Sequence, residues 1–214
     1  DHTMAMFLAA HRRLRLMHQL TVDSKWTEGR PYFAKIPRLY GQTIGLISFG
    51  NVAKAVARRC HAFGLRVIAY DPFLAELEMT AVGVEPVTSL IEVCQRADFL
   101  SMHAPLNAET RHMMGEREFR AMKKSAIFIN NGRGPTVNEA ALADALRQGW
   151  IAGAALDGFG VEPVDSTERA RARVIADQEH RRVGLENIRR SSIGDHVKPL
   201  ARGDWLGCFC LTEP

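Results

Sequence analysis

Five polar clusters stand at the ends of five apolar runs, and each is of a type that can hold or move a ligand. Ser48-Phe49-Gly50 follows the run at 44–47, Asp71 follows 66–70, and His103-Ala104-Pro105 closes 98–103. Asn130-Asn131-Gly132-Arg133-Gly134 closes 126–130, and Asp157 follows 151–156. A glycine turn that opens a helix offers free backbone N–H groups and the positive end of a helix dipole, which favour a phosphate. A carboxylate about 20 residues past such a turn is placed to accept hydrogen bonds from a ribose. One such cluster is a weak signal. Five strand ends with polar residues form a constellation that a random α/β domain would rarely show.

The elements that must carry these residues are legible from periodicity. Residues 44–47 form an apolar run. Val52, Ala53, Val56, Ala57, Cys60 and Phe63 then repeat on one helical face until Gly64, and 66–70 is a second β-rich run. That is a strand–helix–strand unit opening on a glycine turn. The dinucleotide pattern G-x-G-x-x-G/A falls on Ser48, Gly50 and Ala53. Its first position, normally the glycine of the tight turn, is Ser48, whose Cβ is expected to crowd the turn or the ligand. An ordinary turn with no ligand remains the alternative on this stretch alone.

Further along, 82–87 is a short β-rich run. Ser89 caps a helix through Arg96 with Glu92 as capping-box partner, and 98–103 is a strand. A short helix spans 116–122, a strand 126–130, a helix 138–148 capped by Asn138, and a strand 151–156. Alternation of this kind over 41–157 specifies an α/β fold: a doubly wound parallel sheet with helices on both faces and ligands outside the carboxyl ends of the strands. Residues 3–18 read as one amphipathic helix, and 21–37 as an irregular loop. The expected organisation is a helix and connecting loop over 1–37, a dinucleotide-binding domain over 38–164, and a basic tail over 165–214.

The composition is that of a globular chain: 46% hydrophobic and 24% charged in 214 residues, with a net charge of +4. No apolar run has the length of a membrane span, and the apolar patch near the start precedes its charges, unlike a signal peptide. The chain opens on Asp1, with its first Met at position 4, as a fragment or processed product would. Cys60 and Cys94 sit in apolar helical patterns and are expected to pack as small hydrophobes, while Cys208-Phe209-Cys210 lacks a second ligand pair for a metal. A reducing cytoplasm is the simplest compartment, and no metal or membrane partner is expected. Seven arginines fall within 165–190; a solvated or disordered tail is preferred over a nucleic-acid-binding surface.

The motifs DHTMA, YGQTIGLISFGNVAKAVA, VIAYDP, SMHAPLNAETRHMM, MKKSAIFINNGRGPTVNEAALADAL and IAGAALDGFGVEP resemble, in order and spacing, those of the D-isomer-specific 2-hydroxyacid dehydrogenases. The resemblance runs to about Pro163. The loop before the first strand and YDPFL also resemble the corepressor branch. The resemblance implies NAD as cofactor and a small 2-hydroxy or 2-keto acid as substrate. It places the dinucleotide on Ser48, Phe49, Gly50, Asn51 and Val52, with Asp71 on the adenosine ribose, favouring NAD over NADP. It has His103, Ala104, Pro105, Thr110, Asn131, Gly132 and Arg133 lining the groove and Asp157 on the nicotinamide carboxamide. Catalytic roles fall to Arg133, which binds the substrate carboxylate and carbonyl, and to Glu162, which pairs with the acid–base histidine. A guanidinium suits the first role because its fork can hold a carboxylate. The family also implies a homodimer formed through the opening helix, whose Met4, Met6, Phe7 and Leu8 should not be left wet.

Three family features are expected to be absent: a substrate domain before Asp1, a T-P-H histidine, and a final helix that returns to that domain. Leu185-Glu186-Asn187-Ile188 leads where that histidine should follow, but Arg189 to His196 do not continue the pattern, and His196 falls three residues late. Two readings therefore stand. One is the cofactor-binding portion of a dehydrogenase, incomplete as an enzyme. The other is a non-catalytic NAD(H)-binding module or corepressor-like sensor. His61, His103 and His112 are expected to be structural or solvent-facing.

Overall fold

The computed structural model describes residues 1–160 and 209–212. The expectations for Glu162, for residues 161–208 and for Cys208 lie outside the described residues. The sheet order is β3-β2-β1-β4-β5-β6-β7. The strands are β1 (Thr43–Ile47), β2 (Arg66–Tyr70), β3 (Glu85–Pro86), β4 (Phe99–Met102), β5 (Ile127–Asn130), β6 (Gly153–Leu156) and β7 (Phe209–Thr212). The first six run parallel, and β7 pairs antiparallel with β6. The order reverses at β1 and β4, which makes the crevice outside their carboxyl ends the place for a ligand.

Side chains alternate along each strand and divide the core in two. On one face Ile47, Leu100, Met102, Phe128 and Leu156 meet α6 (Leu90–Arg96), α7 (Glu116–Ala121) and α8 (Glu139–Arg147) through Val93, Phe119 and Leu142. On the other, Ile44, Leu46, Val67, Phe99, Ile129 and Ala155 meet α1 (His2–His11) and α4 (Asn51–Ala62) through Met6, Phe7, Val56 and Cys60. Gly45 permits α6 to lie close on β1, since a Cβ there would sit 2.6 Å from a Val93 methyl. Ser89 caps α6 by accepting from Glu92 N at 3.2 Å, and Asn138 caps α8 by accepting from Ala141 N at 3.1 Å. Glu92 reaches back to Thr88 N, one residue before the expected box partner. Gly64, at φ +75°, ends α4.

The N-terminal segment departs from expectation. The helix expected over 3–18 is two helices, α1 and α2 (Leu14–Val22), separated by Arg13 at φ +52°. Periodicity did not signal the break because neither Arg12 nor Arg13 is a glycine or proline. The loop expected over 21–37 contains a 3-10 turn (Trp26–Gly29) and α3 (Arg30–Ala34), with Pro31 in its first turn, where a missing N–H costs nothing. A short α5 (Glu76–Thr80) was not expected, and β3 keeps only two residues of the run at 82–87. Within the tail taken as solvated or disordered, residues 209–212 form β7.

Of the four apolar residues expected to drive a dimer through α1, three find cover within the chain itself and Leu8 is half-buried. Met4, Met6 and Phe7 are buried within the chain itself, and the Phe7 ring packs edge-on to Phe99 at 4.7 Å between centroids. No helix among the described residues is long and apolar enough to cross a membrane.

Candidate functional site

The parallel register sets the site out in a row. Ile47 pairs with Tyr70 on one side and Met102 on the other, Met102 pairs with Asn130, and Asn130 pairs with Leu156. The residues that follow are Ser48, Asp71, His103, Asn131 and Asp157. All five therefore lie side by side along one edge, at strand spacings of about 4.8 Å.

At the β1–α4 turn, Ser48 adopts φ +68°, a left-handed conformation that glycine enters without strain. Its N–H donates to Tyr70 O at 2.8 Å, and its hydroxyl donates to Asp71 Oδ2 at 3.2 Å. Asp71 Oδ2 also accepts from Phe49 N at 2.9 Å, and Oδ1 accepts from Phe73 N at 3.0 Å. Phe49 is buried, whereas Gly50, Asn51 and Val52 are exposed. Gly50 is the N-cap of α4 and supplies no side-chain cap, and the first bond closing the helix is Lys54 N to Gly50 O at 2.9 Å. The amides before Lys54 thus lack an intrahelical acceptor. A Cβ built on Gly50 would meet no heavy atom within 4 Å, so the approach to those amides is open.

In the middle of the row, His103 N donates to Ile47 O at 2.9 Å and extends the β1–β4 pairing. Its Nε2 lies 3.0 Å from Ser101 Oγ. Burial pushes its pKa down to about 4, so the imidazole is neutral at neutral pH. Ala104 is buried and Pro105 exposed. The buried Thr110 uses its hydroxyl inside the turn that follows, donating to Pro105 O at 2.5 Å and accepting from Asn107 N at 2.8 Å. His61 and His112 are exposed.

At the β5 end, Asn130 Oδ1 accepts from Gly132 N at 3.0 Å, and its Nδ2 donates to Arg133 O at 3.3 Å. Thr136 Oγ1 donates to the same carbonyl at 2.7 Å. The backbone of Arg133 is thereby clamped, while its side chain is exposed and forms no ion pair among the described residues. Gly134 is required by packing: a Cβ there would lie on the backbone of Phe159. Asn131 Nδ2 donates to Thr3 Oγ1 at 2.7 Å, and its buried Oδ1 has no hydrogen-bond partner among the described residues. Asp157 N donates to Asn130 O at 2.9 Å, and its carboxylate lies 3.1 Å from His2 Nε2. His2 and Thr3 were not singled out from the sequence. The only signal for them was their place in the DHTMA motif, as polar residues in the first turn of an apolar helix.

A strand–turn–helix with open amides at the reversal of a parallel sheet, followed by an acid on the next strand, defines the dinucleotide-binding α/β class. Residues 4–178 match the family model of the D-isomer specific 2-hydroxyacid dehydrogenase NAD binding domain. The chain belongs to that family and comprises its NAD-binding domain. The match continues past Pro163, the limit of the motif resemblance. A glyoxylate reductase of Korarchaeum cryptofilum is 40% identical over 165 residues, covering 77% of this chain and 49% of the relative. A D-3-phosphoglycerate dehydrogenase of Methanocaldococcus jannaschii is 34% identical over 205 residues, covering 94% of this chain and 38% of the relative. The D-lactate dehydrogenase of Lactobacillus jensenii, solved with NAD+, superposes with a TM-score of 0.70 at 27% identity, covering 94% of this chain and 64% of that one. The chain thus spans half or less of the length of the two curated relatives.

The residues fit NAD, the cofactor of this domain. The turn at Gly50 has room for a phosphate, the α4 amides offer donors, and Asn131 Oδ1 is a buried acceptor in need of a donor.

Proposed function

We propose that this chain is the cofactor-holding portion of a D-2-hydroxyacid dehydrogenase acting on a small 2-hydroxy or 2-keto acid. The observation that carries the reading is the register row that sets Ser48, Asp71, His103, Asn131 and Asp157 along one edge. NAD supplies the hydride acceptor, or donor in the reverse direction. The pyrophosphate lies against the turn Ser48, Phe49, Gly50 and the first α4 residues Asn51 and Val52. Asp71 holds the adenosine ribose, and its charge disfavours a 2′-phosphate. His103, Ala104, Pro105 and Thr110 line the middle of the groove, and Asn131, Gly132 and Asp157 its nicotinamide end. Arg133 binds the substrate carboxylate with an exposed guanidinium that has no ion pair among the described residues. Glu162 keeps the expected role of tuning an acid–base histidine.

The second reading, a non-catalytic NAD(H)-binding module, is favoured by the segment Arg189 to His196, which does not supply the T-P-H histidine. Calorimetric titration with NADH, combined with NADH absorbance assays on glyoxylate, hydroxypyruvate and phosphohydroxypyruvate, separates the two. Binding with turnover supports the dehydrogenase. Binding without turnover supports the module. Absence of binding overturns both.

The proposal includes a cytoplasmic location, consistent with the free buried thiols of Cys60 and Cys94, whose pKa values burial pushes up to about 12. It also includes a homodimer. Its support is apolar surface on α2 and the turn after it, where Leu14, Val22 and Trp26 are more than half exposed, in place of the buried residues of α1. Sedimentation as a monodisperse monomer would overturn the dimer.

A further inference from the structure

The turn carries a serine where the dinucleotide pattern calls for glycine, and the structure shows what that serine does. A carboxylate offers about four acceptor sites. Three on Asp71 are filled: Oδ2 by Ser48 Oγ at 3.2 Å and Phe49 N at 2.9 Å, and Oδ1 by Phe73 N at 3.0 Å. A ribose diol brings two donors, so one acceptor site too few is free. The two amide donors belong to the main chain and cannot withdraw without moving the turn. The Ser48 hydroxyl turns on a single side-chain bond and can. We propose that Ser48 is a latch on Asp71: its hydroxyl occupies an acceptor site needed by the adenosine ribose, and cofactor binding includes release of that bond.

This inference rests on the NAD reading given above. It goes beyond that reading by assigning Ser48 a competing role that a glycine could not have. Ser48 holds the left-handed backbone that glycine would adopt with less strain, and its hydroxyl is what it adds beyond the Cβ that an alanine would also carry. Two consequences follow. Affinity for NAD(H) is lower than the groove could give. Discrimination between ribose and deoxyribose is blunted, because a ligand with one hydroxyl can use the free site on Oδ1 and leave the latch closed.

The test compares the full chain with Ser48→Gly and Ser48→Ala in calorimetric titrations with NADH and with its 2′-deoxyadenosine analogue, together with ligand-free thermal melts. Ser48→Ala and Ser48→Gly are each expected to bind NADH on the order of threefold to tenfold more tightly, the weight of one hydrogen bond no longer to be broken; a gain by Ser48→Gly alone would assign the effect to the Cβ and overturn the latch. Their preference for NADH over the deoxy analogue should widen by a similar factor. Ser48→Ala, which keeps the left-handed backbone and loses the bond, should melt below the wild type. Tight binding by both variants with none by the wild type would support the latch in its strongest form. The latch is overturned if Ser48→Ala melts with the wild type. It is also overturned if the wild type binds NADH and Ser48→Gly changes neither affinity nor preference. If neither the wild type nor either variant binds NADH, the NAD reading falls and takes the latch with it.

Discussion

The two ends of the strand-end row are held together in different ways. At the Ser48 end, Asp71 takes its hydrogen bonds from Ser48 and Phe49, 23 and 22 residues away, and from Phe73, two residues away. At the Asp157 end, Asn131 is held by Thr3, 128 residues away, and Asp157 contacts His2 across the whole domain. The first end is local and built largely from main-chain donors. The second depends on α1 arriving on the sheet, and on Gly134 passing close to Phe159. One end should therefore tolerate distant changes, while the other should report them.

The largest effect expected is at the second end. Gly134→Ala forces a Cβ onto the Phe159 backbone and should lower stability by about 1–3 kcal/mol in thermal or urea unfolding. Hydrogen exchange at Phe49 and Phe73 N–H should stay as in the wild type. Faster exchange there would show that the two ends form one unit. At the first end, Asp71→Asn should weaken NADH binding by about tenfold to a hundredfold, since it removes a charged acceptor. An unchanged titration would remove Asp71 from the cofactor site.

The middle of the row offers a test by pH. His103 has its pKa lowered from 6.5 to about 4 by burial. Between those values the unfolded chain binds a proton that the folded chain does not. Stability is therefore fully present above pH 6.5 and is lost as pH falls toward 4. The part due to His103 between pH 7 and pH 5 should be about 1–2 kcal/mol, and His103→Gln should lack it in paired urea titrations. Parallel curves for the two proteins would place the imidazole in solvent. The smallest effect belongs to Thr3→Val, which removes the partner of Asn131 Nδ2 and should cost about 1 kcal/mol. An equal loss at both ends by hydrogen exchange would again dissolve the distinction.

The same difference explains what could be read from the sequence. The Ser48–Asp71 unit was legible because strand periodicity, a glycine turn and helical periodicity all lie within one short stretch. The caps Ser89 and Asn138 were legible for the same reason, and both cap their helices. His2 and Thr3 were not, because nothing near them in sequence states that α1 ends against β5 and β6. The break at Arg13 escaped because an arginine can enter the left-handed region without a sequence signal. The strand at 209–212 escaped because its partner, β6, lies more than fifty residues earlier, beyond a basic segment that masks any strand pattern. The roles of Arg133 and Glu162 came from family resemblance; of the two residues, Arg133 is among the described residues and Glu162 is not.

One edge of the sheet bears on how copies of this chain can meet. Beyond β2 lies β3, only two residues long, and one of them is Pro86. A proline has no amide proton to offer a neighbouring strand, and two residues are too few to template a ladder. Strand-by-strand stacking, the route by which open parallel sheets begin to form fibrils, is therefore blunted on this side from the moment β3 docks. On this side of the sheet, association between copies is left to the helical surfaces, where shape and side-chain chemistry can select a partner.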